Sequence, residues 1–177
     1  MEGCFPVDSS NFVDIGIISH IIYIMHKLDE LDKKILRELQ QDASTPIEEL
    51  GEKVGLSRNA CWRRIKLLEE NKVIQKRVAL ASPDALGLGL QVFIAVRTDD
   101  HHPGWLDRFS RAVKEIPEIT GAYRMTGELD YLIRARISDI KDYDALYQRL
   151  IRRVAMSDVS ASFVMEEIKE TTALPTD

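Results

Sequence analysis

Between Ile47 and Asn71 the chain spells two short helices with almost no room for a bend between them, and that junction constrains the fold more than any other feature. Ile47, Leu50 and Val54 share one side of the first helix, and Gly55 follows directly. A glycine just past a helix end admits the positive φ that a tight helix-to-helix corner requires. Ser57 then stands as N-cap of a second helix running to about Asn71, because its hydroxyl can accept from the open amides of the first turn. Upstream, Leu28, Leu31, Ile35 and Leu39 recur at three and four, which predicts an amphipathic helix over Leu28 to Gln41. Thr45-Pro46-Ile47-Glu48 reads as the start of the next one, with Thr45 as N-cap, Pro46 first in the helix and Glu48 reaching back to complete a capping box. Three short helices, the last two joined by a turn of about three or four residues, match the helix-turn-helix pattern.

At roughly 100° per residue the third helix sorts into two faces. Cys61, Ile65 and Leu68 fall on one stripe, the side that must pack on the other two helices. Asn59, Arg63 and Lys66 lie opposite, with Trp62 and Arg58 at the flank. An amide and several cations on an exposed stripe suit base edges and phosphates. Many basic helix faces are simply solvated. Here the basic stripe sits on the helix after the glycine turn, with no acidic residue before Glu69, and DNA contact is the better reading. The candidate DNA-contacting residues are Thr45, Ser57, Arg58, Asn59, Trp62, Arg63 and Lys66. Charge distribution agrees. From Ser57 to Arg77 seven basic residues face two acidic ones, a net of +5, which leaves −10 on the remainder of a chain whose total is −5. An acidic body with one basic segment meets phosphate through a single face.

Val73-Ile74 and Arg77 to Leu80 are short β-like runs that would form a wing, and Ser82-Pro83-Asp84 with Gly87 and Gly89 then breaks the pattern as a linker. Beyond Leu90 strands and helices alternate. Val92–Val96 is a strand, and Trp105 to Ile116 is a helix with Leu106, Phe109, Val113 and Ile116 on its stripe, ended by Pro117. Ile119–Met125 and Tyr131–Ile137 are strands around a Thr126-Gly127-Glu128 hairpin, and in the second Ile133, Ala135 and Ile137 alternate with Arg134 and Arg136. Ile140, Tyr143, Tyr147, Leu150 and Val154 make a further helix stripe, and Val159, Ala161, Phe163 and Met165 alternate in a last strand. The order βαββαβ is ferredoxin-like, an antiparallel sheet with two helices on one face. The other face needs cover, and a second subunit is the simplest supply. The expected class is therefore α+β: an N-terminal extension over 1–26, a winged helix-turn-helix over 27–80, a linker over 81–90 and a ferredoxin-like domain over 91–177.

Other function classes find little support. Cys4 and Cys61 are too few for a disulfide framework, and a reducing cytoplasm is the simple setting. The four histidines show no metal-ligand spacing, and His101-His102 belongs to a polar turn, so neither a metal nor a catalytic set is expected. Cys61 lies on the packing stripe, where a thiol is inert. Phe12–Met25 is isoleucine-rich but is interrupted by Asp14 and His20 and falls short of the ~20 apolar residues of a membrane span, so no membrane partner is expected. Residues 1–24 read as a non-essential extension or, alternatively, as a strand or helix that packs on a partner subunit.

Leu28–Leu36, Ile47–Val54, Leu56-Ser57-Arg58-Asn59-Ala60-Cys61-Trp62-Arg63-Arg64-Ile65, Gly121–Tyr131 and the ending Lys169–Pro175 together resemble the Lrp/AsnC family of feast/famine regulators, over about Lys27 to Pro175. The resemblance implies a winged helix-turn-helix joined to an amino-acid-sensing domain, dimers formed through the C-terminal sheets, and assembly into tetramers, octamers or larger rings. It also implies a small amino-acid effector (cysteine, leucine or another), bound in clefts between dimers, and no other cofactor. The residues around Cys61-Trp62 and the Thr-Thr-Ala-Leu-Pro ending are similar to the branch that responds to cysteine. Tyr123, Met125, Thr126, Gly127, Glu128 and Asp130 are the candidate effector residues. In chemical terms, the amides around Gly127 with the Thr126 hydroxyl would receive a carboxylate, and Glu128 or Asp130 an ammonium. A turn whose residues serve geometry alone is the plainer account of the same segment. An architectural DNA-bending protein with no required effector is the alternative function.

Overall fold

The computed structural model describes residues 28–176, and the expected extension over 1–26 lies outside them. The described residues up to Val78, together with the tail from Thr171, form one compact unit, and Ala79–Glu170 form another.

The first unit is built from α1 (Glu30–Gln41), α2 (Ile47–Val54) and α3 (Arg58–Glu70). Ile35, Leu36, Leu50, Val54, Cys61, Ile65 and Leu68 make its core, with Leu28, Leu39, Ile47 and Leu56 packed around them. The capping box belongs to α1, not α2. The Asp29 carboxylate accepts from the Asp32 amide at 2.8 Å, and the Asp32 carboxylate accepts from the Asp29 amide at 3.3 Å. Thr45 does not cap α2. Pro46 occupies the cap position with no side-chain hydrogen bond, and its carbonyl accepts from the Leu50 amide at 2.9 Å. Thr45 is one residue too early, held in the preceding turn by its amide bond to the Asp42 carbonyl. Two glycines make the corner after α2. Gly55 has φ 76°, and a Cβ on buried Gly51 would come within 2.7 Å of the Leu56 carbonyl oxygen. Ser57 caps α3 by accepting from the Ala60 amide. Along the tail, the Gln40 side-chain amide bonds the Leu174 backbone in both directions, at 2.7 and 3.0 Å.

The expected wing strands do not form within the described chain. The amides of Val73 and Ile74 both donate to the Leu68 carbonyl, so this pair closes the end of α3 and packs on its core. Residues 77–80 follow without regular structure, and Val78 and Leu80 are exposed. A strand needs a neighbouring backbone for its ladder, and none among the described residues lies alongside.

The second unit contains β1 (Leu90–Arg97), α4 (Pro103–Glu115), β2 (Ile119–Arg124), β3 (Tyr131–Ile137), α5 (Ile140–Ile151) and β4 (Asp158–Phe163). Its strands form one antiparallel sheet in the order β2-β3-β1-β4, the βαββαβ ferredoxin-like arrangement. Val92, Ile94 and Val96 lie beside Ala135, Ile133 and Tyr131 on the face that both helices cover. The α4 stripe is Trp105, Phe109, Ala112 and Ile116, whereas Leu106 is exposed and Val113 only half-buried. Trp105 wins the inward position because its indole N–H donates to the Ala155 carbonyl at 2.6 Å and its ring stacks on Phe109. Leu146 joins Leu150 and Val154 in the core, while Ile140, first in α5, is exposed. Met165 lies beyond β4 and is fully exposed, so the last strand is shorter than expected. On the other sheet face Arg134 pairs with Glu170 at 3.4 Å and Arg136 with Glu167. Part of that face's cover therefore comes from the chain's own segment after β4.

Candidate functional site

The orientation of α3 is set by its buried side. Cys61, Ile65 and Leu68 are inside, and burial pushes the Cys61 thiol above its ordinary range. Arg64, at the edge of this face, donates through one nitrogen to Asp29 and to Asp32, at 2.8 Å each. The Asp32 side chain is only 4% exposed, so Arg64 serves the bundle even though it belongs to the basic segment. The Asp32 amide, with Arg64 adding to it, holds the Asp29 carboxyl below the ordinary range. In the sequence Arg64 is simply one of the seven cations between Ser57 and Arg77. The signal for its true role was the Asp29–Asp32 spacing at the head of α1.

The opposite side of α3 is open. Ser57, Arg58, Asn59, Trp62, Arg63 and Lys66 are exposed, and Thr45 is half-buried at the foot of α2. Two shallow grooves meet at Trp62. One, of about 530 Å³, brings Thr45, Trp62 and Lys66 together with Glu69 and Arg77; the other, of about 510 Å³, is lined by Asn59, Ala60, Trp62 and Arg63. Ser57 lies in neither and works as the cap of α3.

The cations on this surface differ in their partners. Arg58 pairs with Glu48 at 2.8 Å, Lys66 with Glu69 at 2.8 Å, and Arg77 with the other oxygen of Glu69 at 3.1 Å. The hydrogen bond from Lys66 holds the Glu69 carboxyl below its ordinary range, helped by the charge of Arg77. Arg63 forms no ion pair among the described residues. The ion-pairing roles of Glu48, Glu69 and Arg77 on this surface were not legible in the sequence. The three-residue spacing of Lys66 and Glu69 was the available clue.

In the second unit the predicted hairpin is a longer loop over 125–130. Its ends are joined by the Met125 amide bonding the Asp130 carbonyl at 2.8 Å, and Gly127 has φ 103°. Tyr123, Met125, Thr126, Gly127 and Glu128 are exposed, and Asp130 is half-buried. One Asp130 carboxylate oxygen accepts from the buried Thr98 amide at 2.9 Å, and the Asp130 amide donates to the Val96 carbonyl at 3.1 Å. Asp130 thus fastens the loop to the end of β1. Glu128 is 93% exposed, and its carboxylate lies 4.0 Å from Arg97. His102 caps α4, its ring nitrogen accepting from the Gly104 amide. Among the described residues no three His, Cys, Asp or Glu side chains come together to hold a metal, and no helix is long and apolar enough to cross a membrane.

Comparison with known proteins agrees with this geometry. Residues 28–69 match the AsnC-type helix-turn-helix domain, and residues 91–174 match the Lrp/AsnC ligand binding domain. The chain is 49% identical over 152 residues to the glutamate uptake regulatory protein of Zymomonas mobilis, covering 86% of this chain and 93% of that one. A crystal structure of an AsnC family transcriptional regulator from Agrobacterium tumefaciens superposes with a TM-score of 0.81 at 49% identity, over 84% of this chain and 97% of the other. A transcriptional regulator from Neisseria meningitidis, solved as a complex with L-Met, superposes with a TM-score of 0.80 at 37% identity, over 84% and 96% of the two chains.

Proposed function

The chain belongs to the Lrp/AsnC family of DNA-binding transcription regulators and is not an enzyme, and on that premise we propose that it grips DNA through the outer stripe of α3 and answers to a small amino acid. The observation that carries the DNA reading is the division of α3, whose core stripe is fully inside while Asn59, Trp62, Arg63 and Lys66 stand exposed around one projecting indole. Arg63, a cation with no carboxylate partner among the described residues, is the side chain readiest to form a bidentate contact with a guanine edge. Thr45, Ser57 and Arg58 flank it as backbone-positioning contacts. Residues 27–80 then grip DNA, 81–90 link, and 91–177 associate and sense. The gripping unit acts as a pair, so the bound DNA should carry half-sites of pseudo-palindromic sequence about one helical turn, or a multiple of it, apart.

Support for an amino-acid effector comes from the ligand-binding match over 91–174, from the methionine bound to the Neisseria relative and from the name of the glutamate uptake regulator. Gly127, with its positive φ, lets the loop amides turn toward a carboxylate, and exposed Glu128 offers a partner for an ammonium. Cysteine, leucine, methionine and glutamate are the first effectors to try. The DNA reading is tested with fragments recovered by genome-wide mapping of bound sites. Arg63→Ala should cost about 1–3 kcal/mol of binding and flatten the preference for the cognate fragment. An Arg63→Ala protein that binds and discriminates as the parent does removes this residue from the interface.

A further inference from the structure

Glu69 sits where the groove beside Trp62 is most cationic, and it accepts from both cations there. One oxygen takes the Lys66 ammonium at 2.8 Å and the other the Arg77 guanidinium at 3.1 Å. Its side chain is 30% exposed, so the carboxylate is recessed between its partners, while the Lys66 and Arg77 side chains are 48% and 44% exposed. On the helical wheel Glu69 falls two turns beyond Trp62, on the flank of the proposed DNA face and not behind it. A carboxylate bridging an ammonium and a guanidinium occupies the place that a backbone phosphate takes when the same two groups bind nucleic acid. We propose that Glu69 is a built-in phosphate mimic that neutralises Lys66 and Arg77 and so limits how many DNA phosphates this domain engages.

The inference rests on the assignment of α3 to DNA. It departs from that assignment in saying that the interface is deliberately weakened. With Glu69 present the trio carries a net charge of +1, and without it +2. Exposed ion pairs of this kind add little to stability, so the fold tolerates the loss of this one. Counterion release, in contrast, responds to each unit of charge brought to the phosphates. One further cation steepens the dependence of log affinity on log salt by about 0.9. The ratio of variant to parent affinity should therefore grow about 3.5-fold as salt falls from about 200 to about 50 mM.

The experiment measures binding of the full-length protein to one cognate DNA fragment across that salt range. Parent, Glu69→Gln, Arg63→Ala, and Glu69→Gln in a Lys66→Gln/Arg77→Gln background are compared, with thermal melts to confirm folding. Glu69→Gln should bind more tightly with a slope steeper by about 0.9, and the same change should leave the slope unaltered once both cations are gone. Equal slopes for Glu69→Gln and the parent, weaker binding by a folded Glu69→Gln, or the same steepening without the cations would each overturn the mimic. If Glu69→Gln proves unstable, Glu69→Ala is used; it also removes the negative charge and should steepen the slope by the same amount, about 0.9, and an unchanged slope again overturns the idea. Arg63→Ala separates the two claims. Loss of binding there with no response at Glu69 ends the mimic alone, whereas no response at either site ends the assignment of α3.

Discussion

Arg64 and Arg63 are neighbours in sequence, yet their environments divide them. Arg64 satisfies Asp32, a carboxylate almost wholly buried at the head of α1, while Arg63 faces solvent. Removing one partner of a recessed ion pair leaves the other desolvated without its counter-charge, which costs more than the pair was worth. Arg64→Met should therefore destabilise the DNA-binding unit by about 2–3 kcal/mol in urea denaturation at pH 7. The acid side gives an independent check. The Asp29 carboxyl is depressed below its ordinary value, mainly by the Asp32 amide and further by Arg64. Its contribution to stability is therefore present above the unfolded value of about 4 and is lost as pH falls through the lower folded value. The gap between parent and Arg64→Met should narrow between about pH 5 and pH 2. A gap that stays constant over that range would mean the arginine acts by packing alone.

At the level of elements, the corner between α2 and α3 is the most demanding geometry in the first unit. Gly55 was readable as a positive-φ residue, but Gly51 was not, because its need is for space. A methyl group there meets a backbone carbonyl at 2.7 Å, and backbone cannot swing aside as a side chain would. Gly51→Ala should lower stability by about 1–3 kcal/mol in thermal or urea unfolding and weaken DNA binding in step, by tilting α3. An alanine protein as stable as the parent would show that the corner relaxes. Periodicity exposed the existence and order of the elements because each buries one clear stripe, as in α3 and in the alternation of Ile133, Ala135 and Ile137. It misplaced the α4 stripe by one step, since Leu106/Phe109/Ile116 and Trp105/Phe109/Ile116 are both helical patterns. The choice falls to the ring whose N–H finds Ala155. Pairings distant in sequence, such as Arg64 with Asp29 and Arg77 with Glu69, leave no periodic trace, so the charged half of the site emerged only from the coordinates.

For the whole molecule, charge is segregated, with +5 between Ser57 and Arg77 on a chain of −5. Such a protein is steered to DNA through one surface and repelled elsewhere. Its proposed second function, amino-acid sensing, belongs to the sheet domain and should appear as ligand-linked stability. An amino acid at about 100 times its Kd adds ~2.7 kcal/mol to the bound state. A thermal-shift series at millimolar cysteine, leucine, methionine and glutamate should single out one or two of them, and Gly127→Ala should abolish the shift because the loop loses its positive φ. No stabilisation by any amino acid would remove the sensor from the account and leave a DNA-binding protein without an effector. The decisive measurement is the salt dependence of DNA affinity for the combined Arg58→Ala, Arg63→Ala and Lys66→Ala protein. The expected result is a folded protein that has lost specific binding, with residual affinity falling less steeply with salt by about 1.8 in log–log slope, about 0.9 for each of Arg58 and Lys66. Affinity and slope equal to the parent's would contradict it.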